Sequence, residues 1–369
     1  MSWLDRESAL LKLGVKPQTL YAYVSRGLIS AQTHPEDPRA SLYSEADIDR
    51  LVKRRRRGRS RADIAAASIA WGDPVMETSI TTVRAGRLIY RSVDAVKFAE
   101  HASLEDAAAL LWQCEPLSAT SEGLTPVRGD TAKGRGFQYL ADKASKGLPI
   151  CSVSVERVAI EGAKLLFGFA DAVSGSTGRG LYHQRLARLW RLDPEDADLL
   201  RRVLVLVADH ELNPSSFAAR VAASTGASLA ACALSGYATL SGPRHGEASL
   251  AALAYLRDLL TPHHVQKTSD NDVPAVGHSL YPKGDPRAKA LIRWMQPDDK
   301  LKRAVKIAER LGEKPANIDM ALAALCLKLR LPDEAPFLIF ASGRLVGWIA
   351  HAMEQAQSGK LIRPRAKYL

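Results

Sequence analysis

Cysteine is scarce in this chain: Cys114, Cys151, Cys232 and Cys326 are the four in 369 residues, far apart and without CxxC or any other ligand spacing. Such a distribution offers no disulfide framework, zinc site or iron–sulfur cluster. Aromatic residues are only 6%, which argues against a β-sandwich or barrel; the plentiful Ala and Leu argue for closely packed helices. The N-terminus lacks a basic-then-apolar pattern, and the most apolar stretch, around Ser228 to Leu240, is broken by Ser, Gly, Tyr and Thr. No membrane segment and a cytoplasmic location are therefore expected. No internal repeat is present.

What the chain does have is 46% hydrophobic residues, enough over this length for at least one large core and two or three domains. An all-α main part is expected. The formal charge of +11 is unevenly spread, with 13 Lys and Arg against 7 Asp and Glu in residues 1–61. That excess points toward a polyanion or an anionic cofactor, although basic surfaces often only solvate.

The first segment reads as a small module, residues 1–62. Asp5 to Lys12 forms a short helix stopped by Gly14, and Pro17 to Arg26 a second one closed by Gly27. A polar loop then leads to Leu42-Tyr43, and Ser44 with Asp47 three residues on predicts a capping box opening a third helix. The strings LGVKPQTLYAYVSRGLIS and SLYSEADIDRL resemble the winged helix-turn-helix of MerR-type regulators and excisionases over about fifty residues. The resemblance implies that Gln18, Thr19, Tyr21 and Tyr23 on the second helix, and Arg39 on the wing, face DNA. Lys53 to Arg57, Arg59 and Arg61 would add phosphate contacts. The alternative is a docking or dimerisation appendage with a DNA-binding shape.

Gly72-Asp73-Pro74 marks a boundary, with the main part running over 74–369. Thr78 to Arg91 alternates β-branched and polar residues around Ala85-Gly86 and predicts a short β-hairpin. Ser103 and Asp106 predict a capped helix to about Gln113, and Pro116 to Gly136 is the least ordered stretch by composition. Helices follow at Ser152 to Phe169, His183 to Trp190 and Ala197 to Ala208, each with an apolar face at helical spacing.

Beyond residue 208, His, Asp and Arg concentrate beside helix starts. ADHELNPSSF carries Asp209 and His210; LSGPRHGEAS carries His245; AVGHSLYPKGDPR carries His278 and Arg287; EKPANIDMAL carries Asn317 and Asp319. SGRLVGWIAHAM supplies Arg344, and LIRPRAKY supplies Arg363 and Arg365. Each alone has an ordinary structural explanation. A single His is usually a satisfied polar residue, and GP and DP pairs are ordinary turns. Six such elements in this order are not plausibly chance.

The order DHELN, GPxHG, GHxxY…DPR, NxD, GRxxGWxAH and RPR resembles the citrate synthase family, including methylcitrate synthases, from about Thr78 onward. The resemblance implies a two-domain helical fold, with a small domain of roughly 210–320 inserted in a large one, working as a homodimer. Condensing acetyl-CoA with oxaloacetate needs a base for a weakly acidic proton beside a thioester, and donors for the charge that grows on oxygen. By the resemblance Asp319 is that base, kept ionised by its helix N-terminus. His245 is the neutral donor to the thioester oxygen, its pKa lowered by the adjoining helix N-terminus, and His278 polarises the keto carbonyl. His210, Arg287, Arg344 and Arg363 would hold oxaloacetate, Arg363 coming from a second subunit. Pro274 to Gly277 and Asn317 match the coenzyme A neighbourhood. Coenzyme A thioester is then a substrate, and no further cofactor or metal is implied.

Arg244, Glu247 and Ser279 depart from the family pattern, and Pro-Ala-Val-Gly replaces Pro-Gly-aromatic-Gly before His278. Arg244 and Glu247 are placed to pair with each other or to shift nearby pKa values. Two competing readings stand beside citrate synthesis. One is a 2-methylcitrate synthase using propionyl-CoA, since one methylene leaves no readable mark. The other is a metabolite-responsive DNA-binding regulator with a synthase-like sensor.

Overall fold

The computed structural model describes residues 3–34, 37, 40–57, 76–118, 129–261 and 273–366. The chain divides into two units, Met1–Glu77 and Thr78–Leu369.

In the first unit β1 (Trp3–Leu4) precedes α1 (Arg6–Leu13) and α2 (Pro17–Ser25); β2 (Ala31–Thr33), β3 (Ser41–Ser44) and α3 (Glu45–Arg57) follow. Asp5 caps α1 by accepting from the Ser8 amide at 2.8 Å, and Gly14 ends it with φ 59°, a left-handed turn that suits glycine. The strands form an antiparallel sheet in the order β1-β3-β2. Ala9, Leu13, Leu20, Ile29, Tyr43 and Ile48 make its core.

One expectation for this unit is corrected. The Ser44–Asp47 capping box closes on one side only. The Asp47 amide donates to Ser44 Oγ at 3.4 Å, but the Asp47 carboxylate turns to the Ser30 amide at 2.9 Å and to Arg50. These donors pull its pKa down to about 2. Tyr23 is half-buried, with part of its ring packed against the unit's core. Gln18 and Tyr21 are exposed on α2 and Thr19 is partly so. Arg39, Arg59 and Arg61 lie outside the described residues.

The second unit opens with an antiparallel sheet of β4 (Thr81–Arg84), β5 (Arg87–Tyr90) and β6 (Val93–Asp94). Ala85 and Gly86 both have positive φ, 52° and 73°, as a tight two-residue hairpin turn requires. The third strand was not anticipated. Helices then follow: α4 (Ala95–Ala99), α5 (Leu104–Trp112), α6 (Ala132–Lys146), α7 (Val155–Ser174), α8 (Tyr182–Trp190), α9 (Pro194–Leu206), α10 (Pro214–Ser224), α11 (Leu229–Leu240), α12 (Ala248–Leu260), α13 (Pro286–Met295), α14 (Asp299–Leu311), α15 (Ile318–Lys328) and α16 (Ala335–Ser358). Here the Ser103–Asp106 capping box is complete, with both reciprocal bonds formed.

Helix α16 is the axis of this unit, packing against α5, α7, α9, α10 and α11. It is long and apolar enough to cross a bilayer, yet its apolar window is wholly buried, as in a core helix. Its glycines permit close approach. A Cβ at Gly343 would stand 2.6 Å from the Leu204 carbonyl oxygen, so only glycine lets α9 lie there. In exchange α16 lends a ring elsewhere, where Gly236 of α11 gives room to Trp348.

Candidate active site

The segment after α9 carries His210 and is held by a tyrosine from the hairpin. The Tyr90 hydroxyl lies 2.9, 3.1 and 3.2 Å from the carbonyl oxygens of Val205, Leu206 and Asp209. Its ring is fully buried. Three residues past His210, Asn213 caps α10 by accepting from the Ser215 and Ser216 amides, each at 3.1 Å. The chain leaving α9 is thus fixed at both ends, and His210 points into the interior at 6% exposure.

There it meets residues from the loop before α13. His210 Nε2 is 2.9 Å from Tyr281 Oη, and the His210 and His278 rings cross edge to face at 5.0 Å between centroids. The Leu280 amide donates to His278 Nδ1 at 3.2 Å. A nitrogen that accepts carries no proton in a neutral imidazole, so the His278 proton sits on Nε2, which is therefore a donor.

Arg287, in the first turn of α13, is 2% exposed and bound by both oxygens of Asp285, Nε to Oδ1 at 3.0 Å and Nη2 to Oδ2 at 2.7 Å. Asp285 Oδ2 also accepts from the Ile318 amide at 3.2 Å, which ties the start of α13 to the start of α15. Burial alone would raise the Asp285 carboxyl, but the guanidinium outweighs it and holds the pKa below the usual carboxylate value.

Asp319 lies in the first turn of α15, behind the cap Asn317, whose Oδ1 accepts the Asp319 amide at 2.9 Å. The residue is half-buried, but its Oδ1 is fully covered and has no hydrogen-bond partner among the described residues. Here the expectation of an ordinary ionised carboxylate is corrected. Burial pushes the pKa up to about 7, against the pull of Arg287 and Arg344. One helix terminus is worth too little to cancel that desolvation.

His245 sits in the turn between α11 and α12. Its Nε2 is 2.9 Å from Ser215 Oγ, and the ring meets Phe340 at 6.1 Å between centroids. Burial and then Arg344 lower its pKa to about 4. The direction is as expected, with burial the foremost cause. Burial and then Arg287 bring His278 to about 4 as well. His210 falls well below its ordinary value, through burial and then the charge of Arg287. Arg344 of α16 is 1% exposed; its Nε donates to the Val207 carbonyl at 2.9 Å.

His210, His245, His278, Arg287, Arg344 and Asp319 thus act on one another electrostatically. The result is a cluster of neutral imidazoles, two buried cations and one carboxyl whose pKa lies near neutrality. Such a set can receive a carboxylated carbonyl compound, take a proton from carbon and hold the charge that develops on oxygen. Among the described residues no three His, Cys, Asp or Glu side chains are grouped to hold a metal ion.

The coenzyme-binding candidates form a separate clamp. The Gly277 amide donates to the Pro315 carbonyl at 2.7 Å, the Asn317 amide to the Ala275 carbonyl at 3.0 Å, and Asn317 Nδ2 to the Gly277 carbonyl at 3.1 Å. Pro274 is half-buried at its edge. Arg363 is exposed on the irregular tail after α16. Arg244 is exposed and does not pair with Glu247, which bridges instead to Lys133 of α6.

The family model for the citrate synthase C-terminal domain matches residues 167–365, more than half of the chain. The chain belongs to the citrate synthase family. It is 29% identical over 347 residues to the citrate synthase of Haloferax volcanii, a match covering 77% of this chain and 90% of that protein. It is 31% identical to the 2-methylcitrate synthase of Shewanella oneidensis over 182 residues, 45% of this chain and 48% of that protein, so that match spans about half the relative's length. In fold it is similar to the citrate synthase of Thermoplasma acidophilum, solved as a ternary complex with carboxymethyl coenzyme A and oxaloacetate. The TM-score is 0.64 at 21% identity, over 80% of this chain and 94% of that one. The chain is accordingly an enzyme of the citrate synthase family, a transferase.

Within this citrate synthase framework, sequence reasoning passed over Tyr90, Ser215, Tyr281 and Asp285. The last three stand inside the motifs DHELNPSS, GHxxY and DPR, where their neighbours drew the attention. Tyr90 carried no local signal, since its partners lie more than a hundred residues away.

Proposed function

We propose that the chain condenses an acyl-CoA with oxaloacetate, with acetyl-CoA as the acyl donor and citrate and CoA as products. The observation that carries this reading is the covered, unpaired Oδ1 of Asp319 with its pKa near 7, facing the charges of Arg287 and Arg344. Asp319 takes a proton from the methyl carbon of the thioester, and His245 donates to the thioester oxygen as the enol forms. The enol carbon attacks the keto carbon of oxaloacetate, whose oxygen accepts from His278 Nε2–H. Arg287, Arg344 and His210 hold the oxaloacetate carboxylates, and Arg363 of a second copy completes the grip in a homodimer. Pro274, Gly277 and Asn317 receive coenzyme A. Water then cleaves the citryl thioester to release citrate and CoA. The protein works in the cytoplasm.

Release of CoA thiol from acetyl-CoA plus oxaloacetate tests the reading, with Asp319→Ala as control. Equal rates in the two proteins would remove Asp319 as the base. Propionyl-CoA in the same assay addresses the 2-methylcitrate alternative, which the S. oneidensis relative keeps open. A higher specificity constant with propionyl-CoA would replace the acetyl assignment and leave the residue roles intact.

A second reading concerns the N-terminal unit. Gln18 and Tyr21 are exposed on α2, and basic residues outnumber acidic ones in this part of the chain. We read it as a winged helix-turn-helix that binds DNA, making the chain a DNA-binding regulator whose synthase part reports on metabolite. A gel shift of the full chain with and without oxaloacetate decides: binding that weakens with salt supports it, and no retardation on any duplex leaves the unit structural.

A further inference from the structure

Arg344, Gly347 and His351 follow one another on α16 at spacings of three and four residues, so they line one face of the helix. Asp209, the residue before His210, rests on the middle of that row. A Cβ at Gly347 would stand 2.4 Å from Asp209 Oδ1 and 2.5 Å from the Ala208 carbonyl oxygen, closer than any side chain could remain. The bare helix surface at Gly347 is therefore the seat of the Asp209 carboxylate. His351 closes the seat one turn further along, its Nε2 3.3 Å from Asp209 Oδ1. Both side chains have no exposure at all.

Arg344 stands one turn to the other side. Its Nε is engaged by Val207, its Nη2 is buried without a hydrogen-bond partner, and no carboxylate forms an ion pair with it among the described residues. Arg287 solves the same problem differently, since both oxygens of Asp285 occupy it directly. A buried cation without any counter-charge would be pushed to move or to lose its proton. Burial does lower the Arg344 pKa to about 10, and Asp209 is the foremost acid opposing that fall.

We propose that Asp209, seated on Gly347 between Arg344 and His351, is a positioning residue for the anion site. Its charge holds the Arg344 guanidinium in place without occupying Nη2, which stays available for a substrate carboxylate. The same seating fixes the backbone that carries His210. The proposal rests on the reading of Arg344 as an oxaloacetate ligand.

The test is calorimetric titration of oxaloacetate into the full chain, with the KM for each substrate measured alongside. Asp209→Asn keeps the shape and removes the charge. The expected result is oxaloacetate binding weakened by roughly tenfold or more, with the KM for acyl-CoA unchanged. A merely structural role would lower Tm and leave the two substrates equally affected. Wild-type affinity in Asp209→Asn overturns the proposal. If that variant does not fold, His351→Gln, which opens one side of the seat, takes its place; a folded His351→Gln with unaltered oxaloacetate affinity overturns it equally. Arg344→Leu separates the two failures. Binding lost in Arg344→Leu but kept in Asp209→Asn sinks this proposal alone. Binding indifferent to Arg344→Leu sinks it together with the assignment of Arg344.

Discussion

His245 Nε2 and Ser215 Oγ stand 2.9 Å apart, and the same hydroxyl is 2.7 Å from Asn213 Oδ1. A serine has one proton to give. Turned toward Asn213, it requires His245 to carry its proton on Nε2; turned toward His245, it leaves the proton on Nδ1. Only the second arrangement gives the free side of the ring a donor for a thioester oxygen. In this structure the hydroxyl donates to Asn213 Oδ1, so His245 reaches its working tautomer when Ser215 turns toward it, and Ser215 controls that choice.

Replacing Ser215 by Ala should remove that control while leaving the oxaloacetate residues in place. Loss of one neutral hydrogen bond is worth about 1–1.5 kcal/mol, so kcat should fall roughly tenfold with little change in the KM for oxaloacetate. Steady-state kinetics decide. An unchanged kcat would mean that His245 holds its working tautomer without Ser215.

Asp319 predicts opposite effects of pH on rate and on stability. As a base it must be ionised, so activity should fall as pH drops through about 7, the value to which burial raises it. His245 and His278 stay neutral there, because burial holds each near 4. For stability the sign reverses. Between about 4 and 7 the folded chain keeps a proton that the unfolded chain has given up. This contribution is complete at low pH and lost as pH rises through the window. Asp319→Asn should accordingly cost roughly two to four orders of magnitude in kcat and yet raise Tm at pH 8. A lower Tm in that variant at pH 8 would contradict the assigned burial cost.

That trade-off was hidden in the sequence, although Asp319 itself was not. Motif residues were legible because each marks a helix start or a turn: His210 before Asn213, His245 after Gly242-Pro243, Asp319 after Asn317. Their electrostatics depend on what tertiary packing buries around them, and so the helix terminus was credited with a pKa that burial overrules. The two capping patterns make the same point locally. Ser103 and Asp106 close their box, whereas Asp47, at the same spacing from Ser44, finds the Ser30 amide across the fold instead. Glu247, for which pairing with Arg244 was one of two readings, reaches Lys133, more than a hundred residues earlier.

Ala275 carries a φ of 59°, in the left-handed region that costs a side-chain-bearing residue roughly 1–2 kcal/mol. Its carbonyl accepts the Asn317 amide at 3.0 Å, so the strained loop is locked against the start of α15. Ala275→Gly should relieve the strain and lose part of the gain to the greater freedom of unfolded glycine, about 0.5–1 kcal/mol. A net Tm rise of about 1–3 °C is expected, read by calorimetry. A fall in Tm would show that the alanine methyl packs better than the strain costs.

Arg287 and Asp285 give the last prediction, because each keeps the other tolerable at 2% and 1% exposure. Arg287→Leu strips a buried carboxylate of its only ion-pair partner among the described residues, which costs about 3–5 kcal/mol. Its pH dependence is fixed in sign. In the wild type, burial would raise the Asp285 pKa, but Arg287 holds it below the ordinary value, so the pair contributes stability above that value. Without the guanidinium, burial prevails and the carboxyl takes up a proton as pH falls, which relieves the penalty. The Tm gap between wild type and Arg287→Leu should therefore be wider at pH 8 than at pH 5. Arg287→Lys should lose less Tm but still raise the oxaloacetate KM by roughly tenfold, since an ammonium is a point charge that cannot span both oxygens of a carboxylate. A lysine variant with wild-type KM would mean that Arg287 serves Asp285 and the start of α15 rather than the substrate.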